Sequence, residues 1–259
     1  MNIFIVFKAH KWYNIYGDVF VKKNILEILT QQKNMNLKGN LYHLTQIQFA
    51  YNSNHIEGSK LTEDETRLMY ETNTLFTEES KSVNIDDIIE MANHFYLFDY
   101  MLAKSKEVLS EELIKEFHRI LKRGTTDERI EWFNVGDYKK LPNEVGGTST
   151  TKPENVEKDI KNLLTWYNSL VNVTFADVLE FHYEFETIHP FQDGNGRIGR
   201  IIMFKECLKN NITPFIVLDE FKAFYYRGLK EFKKEQGFLK DTCLTMQDRY
   251  KELIDRLIK

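Results

Sequence analysis

The sequence predicts an all-α fold, one helical domain carrying a single small β-hairpin flap, and three observations carry that prediction. Glycine and proline are scarce, 12 and 4 in 259 residues, and they cluster, which leaves long stretches free of helix breakers. Between the clusters, apolar residues recur at helical spacing. Residues 134–152 alone break that spacing, with glycines, a proline and β-favouring residues that read as a hairpin or irregular flap.

Each element has its own signature. Ile85, Ile88, Ile89, Ala92, Phe95, Tyr96 and Met101 mark one predicted helix face. Val156, Ile160, Leu163, Leu164, Tyr167 and Leu170 mark a second, opened by Pro153 with Glu154 in the first turn. Val178, Phe181, Phe185 and Ile188 mark a third, which begins after Thr174 with Asp177 in a capping-box position. The stretch from Gly237 to Lys259 reads as one last helix. A hydrophobic content of 42% with 14% aromatics can fill a substantial core, and nothing in the composition suggests disorder.

Composition also removes classes of function. A net charge of -4 argues against a nucleic-acid binder working through a general basic field. Two distant cysteines, Cys207 and Cys243, make no disulfide framework and fit a reducing compartment. The apolar start Met1–Phe7 is too short for a signal peptide, and no run reaches membrane-spanning length. The expectation is a cytoplasmic protein with neither nucleic-acid nor membrane partners.

The most informative segment runs His189-Pro190-Phe191-Gln192-Asp193-Gly194-Asn195-Gly196-Arg197-Ile198-Gly199-Arg200, between two helical runs. Gly194 and Gly196 can take positive φ, so successive N–H groups can turn inward as an anion nest. A helix starting there adds its positive end. Arg197 and Arg200, three apart, can bring both guanidinium forks to one side. Asp193 stands where a carboxylate can hold a magnesium ion bridging phosphates. The helix end and the arginines disfavour an imidazolium, so His189 is expected neutral and able to act as a base. Together these are the parts of nucleotidyl or phosphoryl transfer.

Three rival readings compete for this turn. Gly194-Asn195-Gly196-Arg197-Ile198-Gly199 matches a dinucleotide fingerprint, with Asp219 about 20 residues on, but a helix precedes it and no βαβ unit follows. His182, Glu186 and His189 hold the Glu-x-x-His spacing of a di-iron bundle, but no second such pair exists. A solvated helix cap with two surface arginines explains the glycines and leaves the convergence of roles unexplained.

The turn resembles the signature of the Fic family, H-P-F-x-[DE]-G-N-G-R-x-x-R, at every fixed or restricted position. The resemblance implies a Fic-type helical domain that transfers AMP from ATP, with Mg2+ (or Mn2+ in its place), to a hydroxyl of a target protein. It implies His189 as the catalytic base, Asp193 as metal ligand, and Gly194, Asn195 and Gly196 in the anion hole. Arg197 and Arg200 would hold the nucleotide phosphates, while Phe191 packs inward. Gly196, where the related Doc-type kinases usually carry lysine, favours adenylylation over phosphorylation. The flap resembles the hairpin that aligns a target segment by main-chain pairing. Val145-Gly146-Gly147-Thr148 resembles the stretch bordering the nucleotide, and Tyr225 and Tyr226 the pair that flanks adenine. For that pair, simple core packing stays an open alternative. Two departures stand out: Lys139 replaces a frequent arginine after Gly-Asp-Tyr, and Lys233 replaces a frequent Asn or Asp.

Residues 51–62 supply a second signal. Ser53 and Glu57 are four apart and share a helix face that Gly58 can end. Alone this is an ordinary helix end. Beside the signature it resembles the family's inhibitory motif, [ST]-x-x-x-E-[GN], placed before the catalytic part as in class II. The resemblance implies that Glu57 pairs with Arg200 and competes with the γ-phosphate of ATP. On this reading residues 1–75 form an N-terminal helical region with the inhibitory helix at about 44–58, and residues 76–259 the catalytic domain, its core at about 110–235. His55 reads as a packing or surface residue, and His94 and His118 carry no functional expectation. Self-modification and a homodimer are expected from family habit. Removal of AMP with Glu57 positioning water, and a non-catalytic nucleotide sensor, are the alternatives; a sensor would usually have lost His189 or Asp193.

Overall fold

The computed structural model describes residues 11–13, 19–21, 24–77 and 82–258. The start Met1–Phe7 and the final Lys259 lie outside the described residues. Ten helices form the body among the described residues: α1 (Ile25–Met35), α2 (Leu41–Ile56), α3 (Glu63–Thr72), α4 (Ile85–Ala103), α5 (Glu111–Lys122), α6 (Pro153–Asn168), α7 (Phe175–Ile188), α8 (Asn195–Lys209), α9 (Lys222–Glu231) and α10 (Gly237–Leu257). None of them is long and apolar enough to cross a membrane. Short strands β1 (Lys11–Tyr13) and β2 (Val19–Val21) pair antiparallel, as do β3 (Glu144–Val145) and β4 (Thr148–Ser149). The all-α expectation holds. The β1–β2 pair was not foreseen.

Local chemistry sets most boundaries. Thr62 with Glu65, and Thr174 with Asp177, close full capping boxes at the starts of α3 and α7. Asn40 accepts from the His43 N–H to open α2, and Pro153 opens α6 as expected. Gly58, at φ +103°, ends α2 as its position in the sequence predicts. The tip of the flap is a two-residue turn at Gly146-Gly147, both at positive φ (56° and 77°), the conformation that matches strand twist in a tight hairpin.

Helix α8 forms the centre. From Ile198 to Leu208 every residue is buried, so no face is left for solvent. Its apolar side meets an aromatic cluster in which Phe204 lies 5.3 Å from Phe49 of α2 and 5.4 Å from Phe98 of α4. A central helix that nonetheless carries Arg197, Arg200, Lys205 and Glu206 must find a partner for each charge inside the protein. Lys205 pairs with Glu206 Oε1 at 2.7 Å. The two arginines turn to the opposite end, where the chemistry lies.

One predicted face is corrected. In α4 the buried side is Met91, Leu97, Phe98, Met101 and Leu102 together with Glu90, Asn93 and His94, while Ile85 and Tyr96 are 70% and 60% exposed. Apolar periodicity misreads this helix because three polar residues belong to its inner face. Asn93 donates to the Leu121 and Arg123 carbonyls, and Glu90 enters the charge cluster described below.

Helices α9 and α10 cross at Gly228, where an added Cβ would meet the Leu239 Cα at 2.6 Å. Because that neighbour is backbone, it cannot swing aside. Gly228→Ala is expected to cost about 1–3 kcal/mol through overpacking, read as a lower midpoint in thermal unfolding followed by circular dichroism. An unchanged midpoint would contradict this close crossing.

Candidate active site

The turn between α7 and α8 is built by local bonds. His189 ends α7 in the left-handed region (φ 51°, ψ 64°), its N–H donating to Phe185 O at 2.9 Å. The chain thereby reverses. Phe191 then plugs the core, stacked on the His118 ring at 4.0 Å with the planes 5° apart. The Asn195 side chain closes the loop, accepting from the Phe191 N–H and donating to Phe191 O, both at 2.8 Å. Its amide is thus committed to the turn, and an anion would meet backbone N–H groups at the start of α8.

The two glycines of the nest have different jobs. Gly194 takes positive φ (81°) ahead of α8. Gly196 does not, contrary to expectation, since it lies within the first helical turn. Its requirement is space: a Cβ there would fall 2.4 Å from Glu57 Oε1 and 2.9 Å from Arg200 Nη1. The missing side chain leaves room for a carboxylate.

Both arginines reach the C-terminal end of α2, as their spacing suggested. Arg200, 2% exposed, donates from Nε to Ser53 Oγ at 3.0 Å and from Nη2 to Ser53 O at 2.8 Å and Glu57 Oε1 at 2.7 Å. Burial opposes its charge, but the Glu57 carboxylate more than offsets this and raises the guanidinium above its ordinary range. Arg197 donates to Glu90, to Asp193 Oδ2 at 2.9 Å and to Asn54 Oδ1 at 3.3 Å.

His189 lies beside this cluster. Burial, aided by the nearby Lys139 ammonium, pushes its imidazole down to about 4, so the ring is neutral at physiological pH. Neutrality was expected; the expected cause, the arginines and the helix end, is replaced by desolvation and Lys139. Its Nδ1 faces Glu186 O at 3.3 Å, which leaves Nε2 as the free acceptor. Burial alone would raise the Asp193 carboxyl, but Arg197 and Lys122 outweigh it and hold the group well below the usual carboxylate range. Asp193 is thus ionised, and its side chain is half exposed.

Several contributors escaped the sequence reading. Lys122 of α5 is buried among Glu90, Asp127 and Asp193, and it donates to all three. His118 accepts the Gly136 N–H at Nδ1 (2.9 Å), so Nε2 carries the proton and donates to Asp193 O at 3.2 Å. Nothing in spacing marks these residues, because most of their partners come from distant elements. Lys139, the departure from the frequent arginine, has a use in the fold. Its ammonium donates to Asn143 Oδ1 (2.7 Å), Thr150 Oγ1 (2.6 Å) and Ile188 O (3.3 Å), fastening both roots of the flap to the histidine turn.

The remaining expected residues are more dispersed. Val145 is 42% exposed on the flap, Gly146 and Gly147 form its turn, and the Thr148 side chain lies outside the described residues. No bond joins these four to the arginines among the described residues. Tyr225 is buried with its hydroxyl 2.5 Å from His182 Nε2, which suits the packing alternative, whereas Tyr226 is 39% exposed. His55 sits at the surface, 2.9 Å from Asp219.

Three buried histidines make an acid-sensitivity prediction. Burial first, then Arg197, Lys122 or Arg200 respectively, pushes His94, His118 and His182 down to about 3. Unfolded, they would titrate near 6.5, so between 6.5 and about 3 the unfolded chain binds protons that the folded chain refuses. Stability is therefore full above that window and lost as pH falls through it, by at most about 1.4 kcal/mol per pH unit for each histidine. Urea unfolding is expected to show a lower midpoint at about pH 5 than at about pH 7.5; equal midpoints would contradict it.

Fold and site together define a helical domain whose central helix begins at a glycine turn flanked by a histidine, an ionised carboxylate and two guanidiniums. Residues 108–207 match the Fic/DOC family model. The chain is 28% identical over 188 residues to the protein adenylyltransferase fic-1 of Caenorhabditis elegans, covering 71% of this chain and 36% of that protein. It is 26% identical over 194 residues to the protein adenylyltransferase Fic of Nematostella vectensis, covering 71% and 42%. The chain thus spans well under half the length of these relatives. Its fold is that of a Fic domain containing signaling protein from Bacteroides thetaiotaomicron (TM-score 0.66, 24% identity, 91% of each chain) and of residues 134–508 of C. elegans Fic-1 (TM-score 0.67, 21% identity, 88% and 68%).

Proposed function

We propose that this chain is an ATP-dependent protein adenylyltransferase held in check by Glu57. One observation carries the reading: the Glu57 carboxylate sits on Arg200 at 2.7 Å, in space cleared by Gly196, within the turn that presents His189 and Asp193. The resemblance to named adenylyltransferases over 71% of the chain supports the same conclusion.

In the proposed reaction, neutral His189 accepts at Nε2 the proton of a target hydroxyl. The hydroxyl oxygen bonds to the α-phosphorus of ATP, the bond to the bridging oxygen breaks, and pyrophosphate leaves. Glu186 O receives the Nδ1 proton as a hydrogen bond and fixes the tautomer. Asp193 fits a divalent metal, being an ionised and half-exposed carboxylate. Bound Mg2+ would neutralise phosphate charge there. Backbone N–H groups at the start of α8 cradle the phosphates, and Arg200 takes the γ-phosphate once Glu57 withdraws. A target segment would lie along the exposed edge of the β3–β4 flap. The lysine link between flap root and histidine turn favours this, because it ties the position of the target to that of the base. The expected setting is the cytoplasm.

The chemistry is tested with Mg-ATP labelled at either the α- or the γ-phosphate, incubated with the protein and a cell lysate. Protein-bound label from the α-phosphate alone is the expected result. Label from the γ-phosphate alone would mean phosphorylation and would overturn the proposal.

A further inference from the structure

Glu90 of α4, Asp127 of the short 3-10 helix Thr126–Arg129 and Asp193 each bring an oxygen within 4.8 Å of the others. Such spacing would suit a divalent cation. Its centre is already filled. The Lys122 ammonium donates to Asp127 Oδ2 at 2.6 Å, to Asp193 Oδ2 at 2.8 Å and to Glu90 Oε1. Its three donors therefore meet three carboxylates, and the side chain is 2% exposed. The Phe133 ring, centred 5.3 Å from Nζ, covers it further. The backbone is held as firmly: Thr125 Oγ1 donates to Lys122 O at 2.6 Å, and the Asn93 amide donates to the carbonyls on either side, Leu121 O (2.9 Å) and Arg123 O (2.7 Å).

We propose that Lys122 is the resident cation of this cage and a positioning residue for Asp193. It draws Oδ2 inward and keeps a free metal ion out, so that a divalent ion reaches Asp193 only from the open side, together with nucleotide phosphate. The inference rests on the reading of Asp193 as the metal ligand. Charge supports it. Three carboxylates face two cations, Lys122 and Arg197, which leaves one net negative charge. Without the lysine, two negative charges would remain in a partly buried cage, and a divalent ion would satisfy both.

The test needs no enzymatic turnover, so its failure is distinct from failure of the adenylylation reading. Mn2+ is titrated into the full chain without nucleotide and followed by electron paramagnetic resonance. Wild type and Lys122→Arg are expected to bind weakly. Lys122→Met is expected to bind one Mn2+ about tenfold or more tighter, as loss of a buried cation beside three carboxylates requires. A folded Lys122→Met chain that binds no tighter than wild type would overturn the proposal, as would tight nucleotide-free binding by wild type. Should Lys122→Met not fold, the nitrogen-15 resonance of the wild-type Lys122 ammonium decides. The proposal expects a protected signal unmoved by Mg2+ alone, and displacement of that signal by Mg2+ would refute it.

Discussion

Replacing Glu57 by glycine is expected to raise the rate of AMP transfer by on the order of 100-fold, the effect of correcting a misplacement of about 1 Å in the attacked phosphate. In the folded protein three bonds hold Arg200, with Ser53 on Nε and Nη2 and Glu57 on Nη2. Of these partners only the Glu57 carboxylate competes in charge with a phosphate. Its removal leaves Ser53 to orient the guanidinium and frees one fork to take the γ-phosphate. The same change should weaken the fold. Arg200 loses its charged partner, and because the Glu57 side chain is partly open to water the cost is set below that of a fully buried pair, at about 1–2 kcal/mol. Higher activity with lower thermal stability is the paired signature. A variant that is no faster than wild type would remove Glu57 from the account.

The second large effect is at His189. In the Glu57→Gly background, His189→Ala is expected to lower kcat/KM by about 10²–10⁴-fold, the usual worth of a positioned base. ATP affinity by calorimetry should stay unchanged. The reason is structural: the groups assigned to phosphate are Arg200 and the start of α8, while the hydrogen bonds of His189 run to Glu186 and Phe185 at the end of α7. With its imidazole pushed down to about 4, activity should hold through pH 5–6 and fall only as pH drops towards about 4, where the base becomes protonated. An activity loss centred near the ordinary imidazole value would show that His189 is solvated during turnover. Parallel loss of ATP binding in His189→Ala would make the residue a ligand contact instead of a base.

How much of this was legible in the sequence depends on how local the cause is. The capping boxes at Thr62 and Thr174, the proline start of α6 and the glycine end of α2 involve neighbours within a few residues, and such signals survive in the linear chain. The histidine turn was readable for the same reason. Its residues are contiguous, and Asn195 closes it on Phe191 only four residues away. Helix α4 was misread because Glu90, Asn93 and His94 face inward to serve other elements, which inverts the usual link between polarity and exposure. Lys122 could not be read as a site residue, since its three partners lie on α4, the 3-10 helix and the α7–α8 turn. Gly196 suggests backbone freedom in the sequence, whereas the atom a side chain there would meet first belongs to Glu57, over a hundred residues away in the chain.

If one carboxylate restrains one histidine-centred transfer site, three proteins should label their targets at different rates. Wild type, Glu57→Gly and Glu57→Gly/His189→Ala are incubated at equal concentration with lysate and Mg-ATP labelled at the α-phosphate, and protein-bound label is measured over time. Slow labelling by wild type, fast labelling by Glu57→Gly and none above background by the double variant are expected. Fast labelling by the double variant, or equal labelling by the first two proteins, would contradict it.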